Sequence, residues 1–438
     1  MYVPNPPRVR QQMLAELGLK SLDELFADIP EQLKIKGELQ LEERRDPLQL
    51  QRELAALADK NTPAGTRPCF LGAGAYDHYI PPLVEQLLLR SEFFTAYTPY
   101  QAELSQGILQ AIFEYQTMIC QLTGLDVANA SLYDGASALA EAVSLAVDVT
   151  RRRKVLLAAT LHPACRQVVQ TYAAGDRYQL VDVSAPRGVL TVADVESLLD
   201  KDTACLVVQH PNFYGCVETA LAELAATVHG AGGLLIVVAN PVALGLLKPP
   251  GQLGADVVVG EGQPLGAPLS FGGPYLGFMA VRQDFVRRIP GRLSGQTVDR
   301  EGRRAFVLTL QAREQHIRRA RASSNICSNQ ALCALAATMY LAAVGPRGLH
   351  SIARRCHQLA LYARQRLTEK GFELLFSQPF FHEFAIKIAD PAAANRRLFQ
   401  QGMIGGYELP GALLLAFTEK RTRAEIDRLV EVLGGEMA

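Results

Sequence analysis

A chain of 438 residues exceeds the size at which one hydrophobic core stops growing, so two domains and a smaller element are expected. Its 44 basic residues balance its 44 acidic ones, which argues against a dedicated nucleic-acid-binding protein. An apolar content of 49% without tryptophan is typical of soluble α/β proteins, and no uninterrupted apolar run is long enough to predict a membrane span.

The cysteines and the first residues indicate a cytoplasmic protein. The segment Met1-Tyr2-Val3-Pro4 has neither the basic nor the apolar region of a signal peptide. None of the eight cysteines forms a CxxC pair, so we expect free thiols in a reducing compartment and no metal site.

Residues 1–62 are predicted to form a helical arm. Ser21-Leu22-Asp23-Glu24 has the pattern of a capping box, and residues 40–60 carry apolar side chains at helical spacing. Pro63-Ala64-Gly65 then breaks the pattern. Such an arm usually wraps a neighbouring chain or covers a domain edge.

Residues 63–328 are predicted to form a large, doubly wound α/β domain. Continuous apolar runs alternate with helical patterns, as expected for a mainly parallel sheet buried on both faces. A further strand at 276–281 can be antiparallel. The predicted parallel strands are 154–158, 178–183, 204–209, 234–239 and 256–260.

Residues 329–438 are predicted to form a small α+β domain. A long Ala/Leu-rich helical region reaches towards Leu367 and is broken near Gly345-Pro346. Thr422-Arg423-Ala424-Glu425 has the form of a capping box. The predicted strands are 372–376, 382–388 and 412–417, and the predicted helices are 391–400 and 423–433.

Two short segments have the composition of ligand-binding loops. Residues 71–78 contain Gly72 and Gly74 but lack the third glycine and the preceding strand of a dinucleotide fingerprint, so a loop at a pocket mouth is favoured. Residues 133–137 open a helix whose N–H groups could hold a phosphate. A simple N-cap at Asp134 explains the same residues and is preferred.

The segment 97–107 is polar and rich in tyrosine. Its composition favours two interpretations equally, a functional segment and an ordinary loop with a helix cap. Among the histidines, His162 and His210 precede prolines at strand ends, where α/β proteins place ligands. His316 lies among charged residues and is more readily explained as structural.

Ten arginines crowd residues 287–321. A solvated surface is the default interpretation of such a run, and a docking site for an acidic partner is the sharper one.

Several ordered runs resemble the P-protein family of the glycine cleavage system, and more specifically the alpha subunit of its two-subunit form. They are spread over most of the chain. The runs are Tyr97-Thr98-Pro99-Tyr100-Gln101 with Glu103, residues 115–132, Gln311-Ala312-Arg313-Glu314-Gln315-His316, and Ser324-Asn325-Ile326-Cys327.

The resemblance implies the fold of type I transferases that depend on pyridoxal phosphate (PLP), but this chain departs from the family pattern at the coenzyme. In the family, a lysine after a late strand holds PLP covalently. Here that place is Gly260-Glu261-Gly262-Gln263-Pro264, and no lysine occurs between Lys248 and Lys370. The strand 234–240 also lacks the aspartate that meets the coenzyme ring. We therefore expect no catalytic lysine and no cofactor-binding residue on this chain, with PLP on a partner subunit.

The implied activity is glycine decarboxylation by an α2β2 assembly, with transfer of the aminomethyl group to the lipoyl arm of H-protein. Glycine and these two proteins are then the expected partners, with neither nucleic acid nor membrane. Two alternatives remain open: an independent PLP enzyme with a displaced lysine such as Lys248, and a purely structural scaffold subunit.

The resemblance also indicates candidate site residues. One group is expected to line the shared pocket, and a second to dock the acidic carrier. The pocket-lining candidates are Tyr97, Thr98, Tyr100, Gln101, Glu103, Ser324 and Asn325; the docking candidates are Arg313, Arg318, Arg319 and Arg321.

Overall fold

The computed structural model describes residues 5–42, 44–94, 101–175, 177–322 and 324–435. The chain divides into two compact units, Met1–Thr62 and Pro63–Ala438. The helices are α1 Pro7–Glu16, α2 Pro47–Ala58, α3 Pro82–Leu88, α4 Ser91–Phe94, α5 Gln106–Thr123, α6 Gly135–Thr150, α7 Pro163–Tyr172, α8 Val192–Glu196, α9 Leu221–Gly230, α10 Gln315–Arg318, α11 Ala331–Glu369, α12 Pro391–Gln400 and α13 Arg423–Gly434. The strands are β1 Val127–Ala128, β2 Lys154–Ala158, β3 Gln179–Val183, β4 Thr203–His210, β5 Leu234–Ala239, β6 Val257–Glu261, β7 Gly277–Val281, β8 Ser294–Val298, β9 Arg304–Leu308, β10 Glu383–Lys387, β11 Tyr407–Leu409 and β12 Ala412–Ala416.

The first unit contains α1, α2 and short 3-10 turns, and neither helix has a buried residue. Helix α2 begins later than predicted because Asp46 caps it, accepting from the N–H groups of Leu48 and Gln49 at 2.9 and 3.1 Å. The capping box predicted at Ser21 is wrong. The Ser21 side chain makes no cap hydrogen bond. The Glu24 carboxylate instead accepts from the Lys20 N–H, next to a 3-10 turn.

A seven-stranded sheet in the order β1-β7-β6-β5-β4-β2-β3 organises the second unit. The pairs β2–β3, β2–β4, β4–β5 and β5–β6 are parallel, whereas β7 runs antiparallel to β6 and β1. The predicted doubly wound sheet with an antiparallel strand at 276–281 is therefore confirmed.

Alternate residues of one strand enter different cores. In β4, Leu206 and Val208 pack into one apolar cluster, and Cys205 and Val207 pack into another on the opposite face. Each buried aliphatic side chain contributes about 1.5–3 kcal/mol, so a strand covered on both faces is a continuous apolar run.

The C-terminal part of this unit contains a three-stranded sheet in the order β10-β12-β11, all antiparallel, with a core of its own. The capping box at Thr422 is confirmed, since Thr422 and Glu425 exchange the expected hydrogen bonds. The predicted strand 372–376 is wrong: it forms only an isolated bridge between Leu374 and Ile386. The division into domains 63–328 and 329–438 stays a prediction.

Helix α11 links these two parts and is broken at Gly345, whose φ of 61° and ψ of 178° are not helical. Among the described helices it is the one long and apolar enough, by composition, to span a bilayer. Its residues Ala337 and Tyr340 pack into one core and Leu359 and Ala363 into another, so the composition is that of a core helix.

Candidate functional site

A cavity of about 330 Å³ lies at the carboxyl ends of β4, β5 and β6, beside the first residues of α6. This is the edge at which open α/β sheets bind ligands. The loop Ala73-Gly74-Ala75-Tyr76 lines it, as predicted for a glycine-rich loop at a pocket mouth. His162 also lines the cavity, whereas His210 does not.

Two carboxylates occupy the N-terminus of α6. Asp134 accepts from the Ser137 N–H at 2.7 Å, so the preferred interpretation of residues 133–137 as an N-cap is confirmed. Glu261, at the end of β6, accepts from the Gly135 N–H at 3.0 Å through Oε2. The positive end of the helix is thus neutralised by groups of the chain itself.

The other oxygen of Glu261 is also fully used. Oε1 accepts from the N–H groups of Gln263 and Leu276, each at 2.9 Å. Burial raises the pKa of Glu261 to about 7, and the three backbone hydrogen bonds act in the opposite direction.

A second buried carboxylate, Glu383 of β10, closes another wall of the cavity. It accepts from the Ala73 N–H at 2.6 Å and from the Tyr76 hydroxyl at 2.9 Å. Burial raises its pKa to about 7. A Cβ at Gly72 would lie 2.3 Å from Glu383 Oε1, so only glycine fits where this loop passes the carboxylate.

Gln263 belongs to the segment 260–264, in which the family resemblance predicts a lysine and none occurs, and its side chain has a structural role. Its Oε1 accepts from the Tyr76 N–H at 3.0 Å, and its Nε2 donates to the carbonyls of Tyr76 and Ala267 at 3.2 and 2.8 Å. The side chain therefore fastens the glycine-rich loop to the turn after β6.

His162 is held as a neutral imidazole. Its Nδ1 accepts from the Ala164 N–H at 3.0 Å, which leaves Nε2 to donate to the Ala73 carbonyl at 2.8 Å. Burial lowers the pKa of His162, and it lowers that of His210 to about 4. His210 Nδ1 accepts from the Glu218 N–H at 3.2 Å, so this ring forms a buried structural hydrogen bond and does not face the cavity.

The cavity does not fit PLP. No lysine or arginine is found among the described residues that line it, and Lys248 is exposed elsewhere. Asn240, at the end of β5, directs its Oδ1 to the N–H groups of Val242 and Ala243 at 2.9 and 3.3 Å. A coenzyme phosphate at the α6 N-terminus would meet the carboxylates of Asp134 and Glu261.

One group of the described residues has the composition of a metal site. His78, Cys356 and Glu419 offer ligand atoms within 4.8 Å of one another. Internal hydrogen bonds already join them: His78 Nδ1 lies 2.7 Å from Glu419 Oε2, and the Cys356 thiol donates to the same oxygen at 3.3 Å. Burial and Glu419 raise the pKa of Cys356, which keeps the thiol protonated.

Four of the seven predicted pocket-lining residues belong to the part of the chain that the structure describes. Tyr97, Thr98 and Tyr100 are outside the described residues. Gln101 and Glu103 are exposed in a turn before α5. Ser324 Oγ accepts from the Ile326 N–H at 3.0 Å, and Asn325 is exposed. None of these four lines the cavity, because they belong to segments away from the strand ends.

The segment before α5 is fastened to the hairpin β8–β9. Gln106 Nε2 donates to the carbonyls of Ala102 and Phe306 at 2.7 and 2.8 Å, and its Oε1 accepts from the Phe306 N–H at 2.9 Å. The arginine-rich residues 311–321 follow β9 directly. The segment before α5 and this arginine-rich segment are therefore both connected to backbone near the contact between Gln106 and Phe306.

The four docking candidates separate into two environments. Arg313 is partly buried and donates to the carbonyls of Ile289 and Gly291. Burial and Arg292 lower its pKa to about 10. The guanidinium thus holds the backbone of residues 289–291, which disfavours the docking role predicted for Arg313 from the sequence. Arg318, Arg319 and Arg321 are exposed.

Sequence reasoning missed the roles of Glu261 and Glu383. Glu261 stood out only as part of a segment without lysine, although a charged residue between glycines at the end of a buried strand is itself a signal. Glu383 lies in a strand of the small sheet, and its partners are 307 and 310 residues away.

The sheet, the cavity at its carboxyl edge and the smaller C-terminal sheet define the fold of type I PLP-dependent transferases. A chain described as mutant C-DES with glycine covalently linked to its PLP cofactor matches with a TM-score of 0.63 at 15% identity, over 85% of this chain and 97% of that one. At this identity the match shows the fold alone.

The chain belongs to the glycine cleavage system P-protein family, whose model matches residues 1–433. A relative from Syntrophomonas wolfei subsp. wolfei, named probable glycine dehydrogenase (decarboxylating) subunit 1, is 60% identical over 99% of both chains. A crystal structure of glycine decarboxylase (P-protein) of the glycine cleavage system, in inhibitor-bound form, matches with a TM-score of 0.92 at 44% identity, over 99% of both chains.

Proposed function

We propose that this chain is the subunit of a glycine dehydrogenase (decarboxylating) that does not bind PLP. Together with a partner subunit that carries the coenzyme on a lysine, it catalyses release of CO2 from glycine. The aminomethyl group passes to the lipoyl group of H-protein, whose disulfide is reduced in the transfer. The assembly is α2β2 and works in the cytoplasm, where the eight cysteines, all free among the described thiols, stay reduced.

The observation that carries this proposal is the state of the cavity at the strand ends. Its described lining includes no lysine, and the Glu261 carboxylate takes the Gly135 N–H at the start of α6, where a coenzyme phosphate would bind. A chain of this family that lacks both attachments contributes to catalysis through a partner that has them.

The exposed segments support an association with that partner. Helix α2 presents Leu50, Leu54 and Leu57 on one face, and they are 47%, 56% and 56% exposed. Apolar rows of this kind are typical of an interface. We propose that Gln101, Glu103 and Asn325, with Tyr97, Thr98, Tyr100 and Ser324, complete the partner's pocket and help to exclude water during transfer.

Arg318, Arg319 and Arg321 are the proposed docking residues for the acidic carrier. They are exposed and follow the hairpin that is fastened to the segment before α5. This arrangement supports delivery of the lipoyl arm close to residues 101–103. Arg313 is excluded from the docking set, because its donors are used inside the chain.

Reconstitution tests the proposal. The purified chain, the PLP-carrying partner and their mixture are each supplied with glycine, PLP and lipoylated H-protein, and release of CO2 from carboxyl-labelled glycine is measured. The mixture is expected to release label, and neither chain alone. Release by this chain alone, or equal rates with and without it, would contradict the proposal. Substitution of Arg318, Arg319 and Arg321 separates a functional subunit from a scaffold. If the complex still assembles, a functional subunit predicts slower release of CO2, and a scaffold predicts an unchanged rate.

A further inference from the structure

At the cavity, the Glu261 carboxylate occupies the start of α6, and the absence of a lysine does not by itself require this. An α-helix leaves its first N–H groups without partners, and this end attracts anions. In this chain α6 begins at the cavity wall, and its Gly135 N–H is taken by Glu261 rather than left open. A Cβ at Gly135 would lie 2.9 Å from the Glu261 backbone nitrogen, so glycine allows the close approach.

The Glu261 carboxylate is held by three backbone donors from three separate places. These are the start of α6 at Gly135, the turn after β6 at Gln263, and the residue before β7 at Leu276. The strand pairing fixes the carboxylate further, since Glu261 lies opposite Gly277 in the β6–β7 ladder. Its position is therefore set by the sheet and does not depend on a mobile loop.

The other described residues that line the cavity provide no positive charge to neutralise a second anion. Asp134 and Glu383 add negative charge, and the lining contains neither lysine nor arginine. His382 is 2% exposed, lines the cavity and has no partner at Nε2 among the described residues. Burial lowers the pKa of His382 to about 3, so it offers the cavity a neutral polar group and no cation.

We infer that Glu261 is a specificity-determining residue that fills the anion site at the start of α6 and thereby excludes phosphate monoesters from this cavity. This goes beyond the absence of a lysine, because phosphate binding at a helix N-terminus needs no covalent bond. It concerns this chain alone and would stand even if the partner proposal failed.

Removal of the carboxylate should convert the site. In Glu261→Ala three buried N–H groups lose their acceptor, which destabilises the chain, and a phosphate can then replace the missing anion. Each charged hydrogen bond regained corresponds to roughly a tenfold gain in affinity. Glu218→Ala is the matched control, because Glu218 is also buried and accepts from a backbone N–H, of Leu190 at 2.9 Å, but does not line the cavity.

The experiment uses the full chain at pH 8 with three probes: inorganic phosphate, pyridoxamine 5′-phosphate, which cannot form an aldimine with a lysine, and pyridoxamine. Thermal unfolding is recorded against chloride of matched ionic strength, and affinity is measured by calorimetry. We expect phosphate and pyridoxamine 5′-phosphate to raise the Tm of Glu261→Ala, with no rise in the natural chain or in Glu218→Ala. Pyridoxamine should leave all three unchanged.

Binding of pyridoxamine 5′-phosphate to the natural chain within tenfold of its affinity for Glu261→Ala would overturn the inference. So would a folded Glu261→Ala that ignores both phosphates. If Glu261→Ala is recovered only in inclusion bodies, refolding in phosphate and in chloride replaces the thermal scan. A higher soluble yield in phosphate, not seen for Glu218→Ala, supports the inference, and equal yields overturn it.

Discussion

The cavity at the strand ends and the exposed segments differ in how their polar and apolar groups are used. At the cavity, the side chains of Glu261 and Asn240, and that of Gln263 beside it, make their hydrogen bonds to the chain's own backbone. On the exposed segments, Arg318 and Asn325 face solvent, and the leucines of α2 have no core to enter. Where the fold usually holds its ligand, these three side chains are thus hydrogen-bonded within the chain, whereas the exposed arginines, Asn325 and the leucines of α2 are available for contact.

This difference shows that polar residues at the strand ends can serve the structure of the chain itself. Buried polar groups must be paired. Glu261 and Gln263 are paired with the chain's own backbone, and they hold the turn after β6 and the glycine-rich loop in place. The proposed function then rests on surfaces that one chain leaves incomplete.

The largest effect is expected at the exposed leucines of α2. Replacing Leu50, Leu54 and Leu57 with glutamine should weaken association with the PLP-carrying partner roughly a thousandfold, at about 1.5 kcal/mol for each side chain. The chain's own thermal stability should change little, because these residues are not buried in it. Sedimentation velocity of mixtures measures the affinity, with Arg52→Gln on the same helix as control. Undiminished assembly would remove α2 from the interface.

Next in size is the pH dependence that arises from Glu383. Its folded pKa of about 7 lies above the usual value of 4.5, so its contribution to stability is complete below pH 4.5 and is lost as pH rises through 7. The loss amounts to about 3 kcal/mol. Glu383→Gln, which resembles the protonated acid, should remove this part of the decline in unfolding free energy.

Urea unfolding at pH 5.5 and 8.5 measures about 2 kcal/mol of the Glu383 effect, because the remainder is already lost at pH 5.5. Glu85→Gln on the exposed side of α3 serves as control. A variant with the same decline as the natural chain would show that Glu383 is ionised throughout this range. In Glu383→Gln, the unfolding free energy should still decline in part as pH rises, because Glu218 and Glu261 also have pKa values of about 7.

A smaller effect is expected at the exposed arginines. Exchange of Arg318, Arg319 and Arg321 for glutamine should raise the KM of the assembled enzyme for H-protein roughly tenfold, at about 0.5 kcal/mol for each exposed charge. The difference should shrink at high salt because exposed charges are screened. Arg187→Gln, another exposed arginine, should leave the KM unchanged. An unaltered KM in the triple variant would place the docking site elsewhere.

The smallest effect is expected at Tyr100. Tyr100→Phe removes one hydroxyl and should lower the kcat of the assembled enzyme several-fold, as expected for about 1 kcal/mol of a single hydrogen bond. Assembly should be unaffected, and Tyr79→Phe at an exposed position provides the comparison. A kcat equal to that of the natural enzyme would remove Tyr100 from the pocket.

Much of the central sheet could be predicted from the sequence. Strands β2 and β5 and helix α12 have the predicted bounds, because continuous apolar runs and a proline-led helix start are local signals. The break at Gly345 was also predicted, since a glycine before a proline permits the positive φ found there. These features depend on a few neighbouring residues and on burial of both sheet faces.

The hairpin β8–β9 and the environment of the cavity could not be predicted in this way. Most of β8 is exposed and lacks an apolar pattern, so its pairing depends on distant contacts such as that between Gln106 and Phe306. Glu261 reaches Gly135 across 126 residues, and Arg313 is partly buried although it stands in an arginine-rich run. Sequence spacing contains no information about which side chains such long-range packing brings together.

The most direct test of the central claim is to map the site of covalent PLP attachment in the assembled enzyme. The complex is reduced with borohydride, the two subunits are separated, and their peptides are analysed by mass spectrometry for reduced pyridoxyl lysine. The account predicts the modification on the partner subunit and none on this chain. Stoichiometric modification of a lysine of this chain, Lys248 included, would contradict it.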